Sequence, residues 1–418
     1  MLQADLLIKN AAQLLTMAGH SKEPKRGAEL ADPGIITGGA VAAFDGVIVA
    51  VGPTEQVEEE VELLPHARVY DAWGKVVAPC FVEPHTHIVF GGSRQNEFVM
   101  RLQGKSYLEI MQAGGGIVNS VKATAAASDA ELLETARRRL DHFARHGVGT
   151  VEVKSGYGLS VAEELRMLRV IRKLDALHPL DLVPTFLGAH AFPKEYRGRE
   201  EEYVDLVVEE MIPRVAEEKL ARFCDVFCDV GVFTVEQSRR ILEAGKRYGL
   251  LPKLHADELA SFGGAELAAE MGAVSADHLL KASPEGIKAL AEAGVIAVLL
   301  PGTAFFLNEE YAPARQMIEQ GVAVALSTDR NPGSSPTEAT HLILTLACIK
   351  MKMLPAEALC AATINAAHAI GMAHRVGSLE TGKQADVVII DAPDCNYIPY
   401  HFGTSLVEAV FKKGRKIK

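Results

Sequence analysis

The sequence has few cysteines, no long apolar run and no long basic run, and each of these shortages excludes a class of protein. Six cysteines are scattered through 418 residues, which argues against a disulfide framework and predicts a reducing, cytoplasmic location. The most apolar window, residues 294–307, has 14 residues and is broken by Pro301 and Gly302, so it is too short to cross a bilayer. The N-terminal residues show no signal-peptide pattern.

Acidic residues outnumber basic ones, which gives a formal net charge of −11. Acids and bases are mixed along the chain, and this balance argues against nucleic acid and anionic membranes as partners. It leaves room for a small anionic substrate, which needs only one or two well-placed arginines. Apolar residues make up 48% of the chain, enough for a large core.

Strand-like apolar runs alternate with helical patterns through the middle of the chain. Eight such runs can be counted, in residues 76–84, 147–155, 181–188, 223–230, 250–256, 272–278, 295–300 and 322–329. Eight strand–helix units predict an α/β fold, a (β/α)8 TIM barrel whose active site lies at the carboxyl ends of the strands. Short β segments at both ends of the chain predict a small β-sandwich domain built from both termini. We therefore expect residues 1–75 plus 376–418 to form this composite domain and residues 76–375 to form the barrel.

Side chains with catalytic or metal-binding chemistry follow the predicted strands. They are His85, His87, Lys154, Tyr157, His190, His255, His278 and Asp329. Because the strands of such a barrel all end at one rim, we expect these side chains to lie close together. Other histidines fall on helical segments or beyond the last strand and are expected to be ordinary surface or core residues: His142, His146, His178, His341, His368 and His374.

The HTH motif of residues 85–87 is typical of a metal site. Residues i and i+2 of an extended segment share one face, so His85 and His87 project the same way. Together with His255 and Asp329 they form a ligand set that suits zinc or iron. A water bound to such an ion would have its pKa lowered from about 15.7 toward about 7, which provides a nucleophile at neutral pH.

Two further residues are candidates for moving protons or polarising a bond. Glu258 follows His255 by three residues and could be a proton shuttle, with a solvated or helix-capping carboxylate as the alternative. His278 could polarise a carbonyl oxygen near the metal, with a packed or supporting histidine as the alternative.

Anchors for an anionic substrate follow the first and the last predicted strands. Arg94 comes shortly after the HTH motif, where its guanidinium could hold a carboxylate through a bidentate pair. Asn331, Gly333 and Ser334 offer donors beside Asp329. The same segment could be a simple turn, and the pattern alone does not decide between the two.

Several motifs, in this order along the chain, resemble the amidohydrolase superfamily. They are HTH at 85–87, His190, HADE at 255–258, ADH at 276–278 and STDRNPGS at 327–334. Narrower segments, RQNEF at 94–98 and KSGYGL at 154–159, resemble the branch that acts on 4-imidazolone-5-propanoate. The resemblance extends from about residue 36 to about residue 415. It implies hydrolysis of the cyclic amide C–N bond to N-formimidoyl-L-glutamate in histidine degradation, by activated water that attacks the ring carbonyl.

The resemblance also implies roles for individual residues. One metal ion per chain, Zn(2+) or Fe(3+), would be held by His85, His87, His255 and Asp329. The substrate would be contacted by Arg94, Tyr107, Tyr157, His190, Glu258, Asn331, Gly333 and Ser334. Catalysis would depend on Glu258, His278 and Asp329. The resemblance further implies a homodimer.

Alternatives remain for the metal count and for the reaction. Binuclear members of the superfamily carry a lysine at the end of strand 4, which here lacks one, so one ion is expected, although Asp229 could be an unusual ligand. A cytosine- or guanine-type deaminase would share the metal ligands and the glutamate but would not need a carboxylate clamp. A catalytically dead scaffold barrel is the other alternative, and such relatives usually lose ligands that are all present here.

Overall fold

The computed structural model describes residues 1–105, 109 and 114–418. At its centre, eight parallel strands pair in sequence order, each with the next one along the chain. With all strands numbered in chain order, these are β8 Phe81–Glu83, β9 Val148–Lys154, β10 Asp181–Ala189, β11 Phe223–Cys228, β12 Leu251–Ala256, β13 Ser275–His278, β14 Ile296–Leu299 and β15 Val324–Leu326. A parallel bridge between Thr86 and Arg330 joins the two edges of the sheet. The predicted (β/α)8 TIM barrel is confirmed.

Helices follow the barrel strands and cover their outer face. The α-helices of the described residues are Thr54–Glu60, Gln95–Leu102, Ile117–Ala126, Asp129–Arg145, Val161–Leu177, Glu200–Leu206, Ile212–Glu217, Val235–Arg247, Gly264–Glu270, Pro284–Ala293, Pro301–Leu307, Ala314–Glu319, Thr340–Met351, Pro355–Ala361, Ile364–Ala369 and Tyr397–Tyr400. Val151, Leu168 and Leu254 belong to the buried apolar core that these helices and the strands share. Within the described ranges, no helix combines the length and the apolar character that a membrane span requires.

Ten further strands of the described residues form two sheets, one from the N-terminal part of the chain alone and one from both ends, which confirms the predicted β-sandwich. One sheet has the order β5 Val47–Pro53, β4 Gly39–Phe44, β1 Leu2–Ala11, β6 Val61–Asp71. The other has the order β18 Arg415–Lys416, β17 Val407–Lys412, β16 Val387–Ile390, β7 Val76–Pro79, β2 Gln13–Leu15, β3 Ile35–Ile36. Leu6, Val41, Val77, Val387 and Phe411 pack together in a core that is separate from that of the barrel.

The structure divides the run predicted as the first barrel strand. Strand β7 pairs antiparallel with β16 and parallel with β2, whereas β8, which begins two residues later, pairs with β9 of the barrel. Cys80 separates the two strands. Strands β7 and β8 are both buried, so the residues from 76 to 82 form one continuous apolar run. The hydrophobic pattern of the sequence therefore could not show that the chain passes from one sheet to another. The division into residues 1–75 plus 376–418 and residues 76–375 stays a prediction, and β7 lies just on the barrel side of it.

Polar side chains occupy alternate positions along barrel strand β9. Glu152 and Lys154 are two residues apart, share one face of the strand and are fully buried. Asp225, Lys253 and Asp277, from β11, β12 and β13, are also fully buried. Charged groups are buried in this way only when they are paired. These five side chains are defined here as the buried charge network, which supports the site at the strand ends.

Candidate metal centre and active site

The four side chains predicted as metal ligands lie at the carboxyl ends of the barrel strands. His85 and His87 follow β8, His255 lies in β12, and Asp329 follows β15. Each of them is at most 2% exposed. Residues from the first, fifth and eighth barrel strands therefore meet at one place, as the strand count predicts.

The distances between these side chains suit a bound cation. The Nε2 atoms of His85 and His87 are 3.3 Å apart, and Oδ1 of Asp329 is 3.5 Å and 3.6 Å from them. The ring centroid of His255 is 4.5 Å from that of His85. Nε2 of His255 and Oδ1 of Asp329 are buried and have no hydrogen-bond partner among the described residues. Buried acceptor atoms that converge without a donor fit zinc or iron.

His278, at the end of β13, is a fifth side chain at this centre. Ligand atoms of His85, His255 and His278 lie within 4.8 Å of one another, as do those of His85, His87 and Asp329. The backbone φ angles of His278 and Asp329 are +75° and +53°, in the left-handed region that side chains other than glycine rarely adopt. Such strain is kept where the surrounding structure needs a side chain to point in a particular direction.

Burial sets the protonation of the centre. It holds the pKa of His85, His87 and His278 well below the ordinary value, so all three are neutral and keep a free electron pair. Burial also raises the pKa of Asp329 to about 6. The hydrogen bond that its Oδ2 accepts from the Thr303 hydroxyl at 2.6 Å acts in the opposite direction and lowers this pKa. A neighbouring cation would favour the ionised carboxylate.

Two buried carboxylates that sequence analysis missed hold the ligand histidines from behind. Nδ1 of His85 is 2.5 Å from Oδ2 of Asp277, and Nδ1 of His255 is 3.1 Å from Oδ1 of Asp225. Each Nδ1–H donates to its carboxylate. This fixes the tautomer of the ring and leaves the electron pair of Nε2 free to bind a metal. An aspartate inside an otherwise apolar strand is rare enough to have been a signal.

Glu83, the last residue of β8, connects the first barrel strand to the last. Its Oε2 accepts hydrogen bonds from the Ser327 hydroxyl at 2.6 Å and from the backbone N–H of Thr328 at 2.9 Å. Because these residues directly precede Asp329, the carboxylate of Glu83 fixes the strand end that carries the fourth candidate ligand.

Glu258 lies beside the centre, where the proton-shuttle hypothesis requires it. Its Oε2 is 3.6 Å from Nδ1 of His278, and its side chain is 12% exposed. Burial, followed by the negative charges of Asp329 and Asp229, raises the pKa of Glu258 to about 8. This shift favours the protonated form of the carboxyl group near neutral pH.

Two aspartates fix the backbone around Glu258. The carboxylate of Asp229 accepts hydrogen bonds from the N–H groups of residues 258–260 at 2.7–3.2 Å. Asp257 accepts from the N–H groups of residues 262–265 and thereby caps the next helix. The helix-capping role that was considered as an alternative for Glu258 therefore belongs to Asp257. Both oxygens of Asp229 are engaged by the backbone, so it is not a free ligand.

Tyr157 and His190 extend the site away from the candidate ligands. The His190 ring stacks on that of His87 at 5.2 Å and 16°, and its Nδ1–H donates to the carbonyl oxygen of Gly156 at 2.9 Å. The Tyr157 ring is 5.4 Å from that of His190. Glu164 holds this loop by accepting a hydrogen bond from the N–H of Gly156. The two predicted substrate contacts therefore lie next to the metal ligands.

Glu97 occupies one of the two edges through which the guanidinium of Arg94 could hold a carboxylate. Nε and Nη2 of Arg94 are each 2.8 Å from Oε2 of Glu97, a buried residue of the following helix. Its Nη1 lies next to Gly333, where an added Cβ would be only 2.1 Å away. A cavity of about 310 Å³ beside these residues is also lined by Arg139 and Arg330. One edge of the guanidinium is therefore used internally.

The segment after β15 is a turn organised by Asn331. Its Oδ1 accepts hydrogen bonds from the N–H groups of Gly333 and Ser334, each at 2.8 Å. Its Nδ2 donates to the carbonyl oxygen of Asp329 and to the Ser334 hydroxyl, also at 2.8 Å. The segment is therefore a turn, as one of the two interpretations of the sequence predicted. The turn brings Gly333 next to Arg94.

Several histidines considered in the sequence lie outside this site, and one predicted substrate contact falls outside the described residues. Tyr107 is outside the described residues, and its role stays a prediction. His146 and His341 pack against each other with ring centroids 5.2 Å apart, and Nε2 of His178 is 3.3 Å from Oδ1 of Asp141. These histidines have structural surroundings of their own, as predicted.

Comparison with known proteins agrees with this geometry. The family model described as "Amidohydrolase family" matches residues 76–417. A curated protein named Imidazolonepropionase from Brevibacillus brevis is 57% identical over 408 residues, which cover 97% of this chain and 96% of that protein. One of the same name from Symbiobacterium thermophilum is 58% identical over 415 residues, 99% of this chain and 97% of that protein.

Solved structures share the fold at much lower identity. An adenosine deaminase from Xanthomonas campestris with bound zinc superposes with a TM-score of 0.72 at 20% identity, over 99% of this chain and 93% of that one. A likeness at this level of identity supports the architecture and does not bear on the substrate.

Proposed function

The chain belongs to the amidohydrolase family, among the imidazolonepropionases, and we propose that the site described above opens the ring of 4-imidazolone-5-propanoate. Water adds to the ring carbonyl, the cyclic amide C–N bond breaks, and N-formimidoyl-L-glutamate is released as a product of histidine degradation. The observation that carries this conclusion is the high identity to curated imidazolonepropionases over nearly the whole chain.

The family is metal-dependent, and the donor set fits one zinc or ferric ion per chain. His85, His87, His255 and Asp329 would hold it, through the nitrogen and oxygen atoms that converge at the strand ends. When bound, such an ion supplies Lewis acidity, which polarises a carbonyl oxygen and makes water a stronger acid. The engaged carboxylate of Asp229 supports a single ion.

Three side chains of the site would move or hold protons. Oδ1 of Asp329, which has no hydrogen-bond partner in the described chain, is placed to take a proton from the attacking water. The protonated carboxyl group of Glu258 is placed to give its proton to the ring nitrogen as the C–N bond breaks. His278, with Nδ1 toward Glu258, would donate from Nε2 to the developing oxyanion.

The propanoate group of the substrate would be held by the remaining edge of Arg94. Because Glu97 takes the Nε–H and one N–H of Nη2, the edge formed by Nη1 and the second N–H of Nη2 remains for the substrate carboxylate. Tyr157 and His190 would contact the ring, and the loop of Asn331, Gly333 and Ser334 would close the pocket beside the carboxylate. Binding of the carboxylate by Arg94 would orient the substrate ring toward the reacting groups.

Replacing Gly333 by alanine is expected to raise KM about 10- to 100-fold while kcat changes less than about threefold. The added Cβ would displace Nη1 of Arg94, and the loss of one charge-assisted hydrogen bond has about this effect on affinity. Because the displaced group is the end of a flexible side chain, the melting temperature should barely change. Steady-state kinetics with the natural substrate measure the effect.

A substrate analogue without the propanoate carboxylate is the matched control for this variant. The unmodified chain and Gly333→Ala should turn it over equally slowly, since neither has a carboxylate to hold. An unchanged KM for the natural substrate in Gly333→Ala would contradict the proposal that Arg94 binds the substrate carboxylate.

The proposed function is tested by hydrolysis of enzymatically generated imidazolonepropanoate with purified protein of known metal content. Formation of formimidoylglutamate that disappears on chelation and returns with about one ion per chain would support both the substrate and the metal count. A fully metallated protein without turnover would refute the substrate. Release of ammonia from cytosine or guanine would then favour the deaminase alternative.

We further propose a cytoplasmic homodimer that acts on a small anionic substrate and has no nucleic-acid or membrane partner. The formal net charge of −11 supports the exclusion of polyanionic partners. Sedimentation of the purified protein at several concentrations tests the dimer, and a monomer throughout would refute it.

A further inference from the structure

The ammonium group of Lys154 lies at the centre of the buried charge network. Its Nζ is 2.7 Å from Oδ2 of Asp225, 3.4 Å from Oδ2 of Asp277 and 3.0 Å from Oε1 of Glu152, and all four side chains are 0% exposed. A charge buried this completely is retained only with close partners. The strand position of Lys154 suggested a residue at the active-site rim, yet among the described residues its ammonium group makes no hydrogen bond or ion pair with a candidate metal ligand.

The partners of Lys154 connect it to the metal centre by two routes. Asp225 accepts the Nδ1–H of His255, and Asp277 accepts the Nδ1–H of His85. One ammonium group on β9 therefore reaches candidate ligands on two other barrel strands, through one carboxylate each.

We propose that Lys154 is a positioning residue that holds Asp225 and Asp277 in place, so that His85 and His255 both present Nε2 to the metal. This inference rests on the proposed metal centre. The two buried carboxylates repel each other, and each has an oxygen atom close to the Lys154 ammonium, at 2.7 Å for Asp225 and 3.4 Å for Asp277. The ammonium between them offsets this repulsion. Without it, one carboxylate would turn away, and its histidine would lose the acceptor that fixes the tautomer.

The charges of the network agree with this role. Two ammonium groups face three carboxylates, so the network carries one excess negative charge when all five groups are ionised. A divalent ion with the Asp329 carboxylate would add one positive charge and offset the excess negative charge of the network. Loss of the Lys154 charge would leave the centre with an uncompensated buried carboxylate.

Lys253 provides a matched control within the same network. It is also 0% exposed, and its Nζ is 3.0 Å from the same Oε1 of Glu152. Its other hydrogen bond goes to the carbonyl oxygen of Pro84 at 3.1 Å, and it makes no ion pair with Asp225 or Asp277 in the described structure. The contacts of the ammonium group with Asp225 and Asp277 are therefore what distinguish Lys154 from Lys253.

The experiment compares Zn(2+) affinity in the unmodified chain, Lys154→Met and Lys253→Met, each made metal-free and titrated against a chromogenic chelator. We expect Lys154→Met to weaken the affinity about 10- to 100-fold, the usual effect of losing an outer partner of a metal site. Lys253→Met should weaken it less than about threefold. Equal losses in the two variants, or no loss in Lys154→Met, would overturn the positioning role and leave the metal centre intact.

A measurement on the unmodified chain covers the case in which Lys154→Met does not fold. With ¹⁵N-labelled histidine, His85 and His255 should each show a hydrogen-bonded Nδ1–H proton at low field with and without Zn(2+), in addition to that of His190, whose Nδ1–H donates to Gly156. Such protons on His85 and His255 would support the route through the carboxylates, and Nε2–H tautomers there would overturn it. An unmodified chain that binds no Zn(2+) would overturn the proposed metal centre and this inference with it.

Discussion

Replacing His255 by glutamine is expected to abolish metal binding and to lower kcat/KM by about 10⁴-fold or more at pH 7. Its Nε2 is a buried acceptor without a partner in the described residues, and glutamine cannot place a nitrogen electron pair there. Without the ion, the nucleophile is ordinary water with a pKa of about 15.7 rather than about 7. Metal content per chain and steady-state turnover measure the two effects.

His146→Gln is the matched control for this prediction. His146 also has a buried Nδ1 without a partner in the described chain, but it follows the helix Asp129–Arg145 and packs against His341. This variant should keep one ion per chain and full turnover. Chelation should lower the melting temperature of the unmodified chain and of His146→Gln, because a ligand bound to the folded state stabilises it, and should leave His255→Gln unchanged. Full metal content in His255→Gln would contradict the ligand set.

The sequence predicted the barrel and its rim because both follow from periodicity. Counting apolar runs identifies eight strands, and parallel strands of a barrel end on one side. Side chains as far apart as His85 and Asp329 could therefore be placed together before any distance was known. Ligand chemistry then reduced the rim residues to a metal set, of which the structure brings the donor atoms of His85, His87 and Asp329 within 4.8 Å of one another.

The partners behind that rim could not be predicted from periodicity. Asp277 reaches His85 from a strand 192 positions away in sequence, and its side-chain direction depends on register and rotamer. In the barrel, Asp277 is the register partner of His255, yet its Oδ2 accepts the hydrogen bond of His85, which follows β8. A pattern of alternate residues specifies a face of a strand and does not specify a partner.

Arg94 and the first barrel strand differ in what the sequence could have shown. The sequence placed a guanidinium near the expected substrate, but Glu97, three residues further on, takes one of its edges. Helix geometry brings residues i and i+3 together, so this pairing was available as a signal. The division between β7 and β8 was not, since both strands are apolar and buried.

Replacing Glu258 by glutamine is expected to lower kcat about 10²- to 10⁴-fold with little change in KM or metal content. Glutamine keeps the size of the side chain but has no proton to give to the departing ring nitrogen, and loss of a general acid has an effect of this size. Glu258 faces Nδ1 of His278 rather than a candidate metal ligand, so the ion should remain. Single-turnover kinetics of the fully metallated variant separate the chemical step from product release.

The pH profile distinguishes this role from a structural one. Burial raises the pKa of Glu258 to about 8, and an acid works only while protonated, so kcat of the unmodified chain should fall as pH rises through the pKa. A nearby bound cation lowers that pKa, which places the fall at or below about pH 8. The falling limb should disappear in Glu258→Gln.

Glu266→Gln is the control, because Glu266 lies in the helix after the same barrel strand and accepts a hydrogen bond from the Ser283 hydroxyl. It should keep both kcat and the falling limb. If Glu258→Gln retained kcat within about threefold, the proton would have to come from elsewhere. The neutral His278, whose pKa burial holds well below its ordinary value, is a poor donor of a full proton. Asp329, with a pKa of about 6, would then have to return the proton that it took from water.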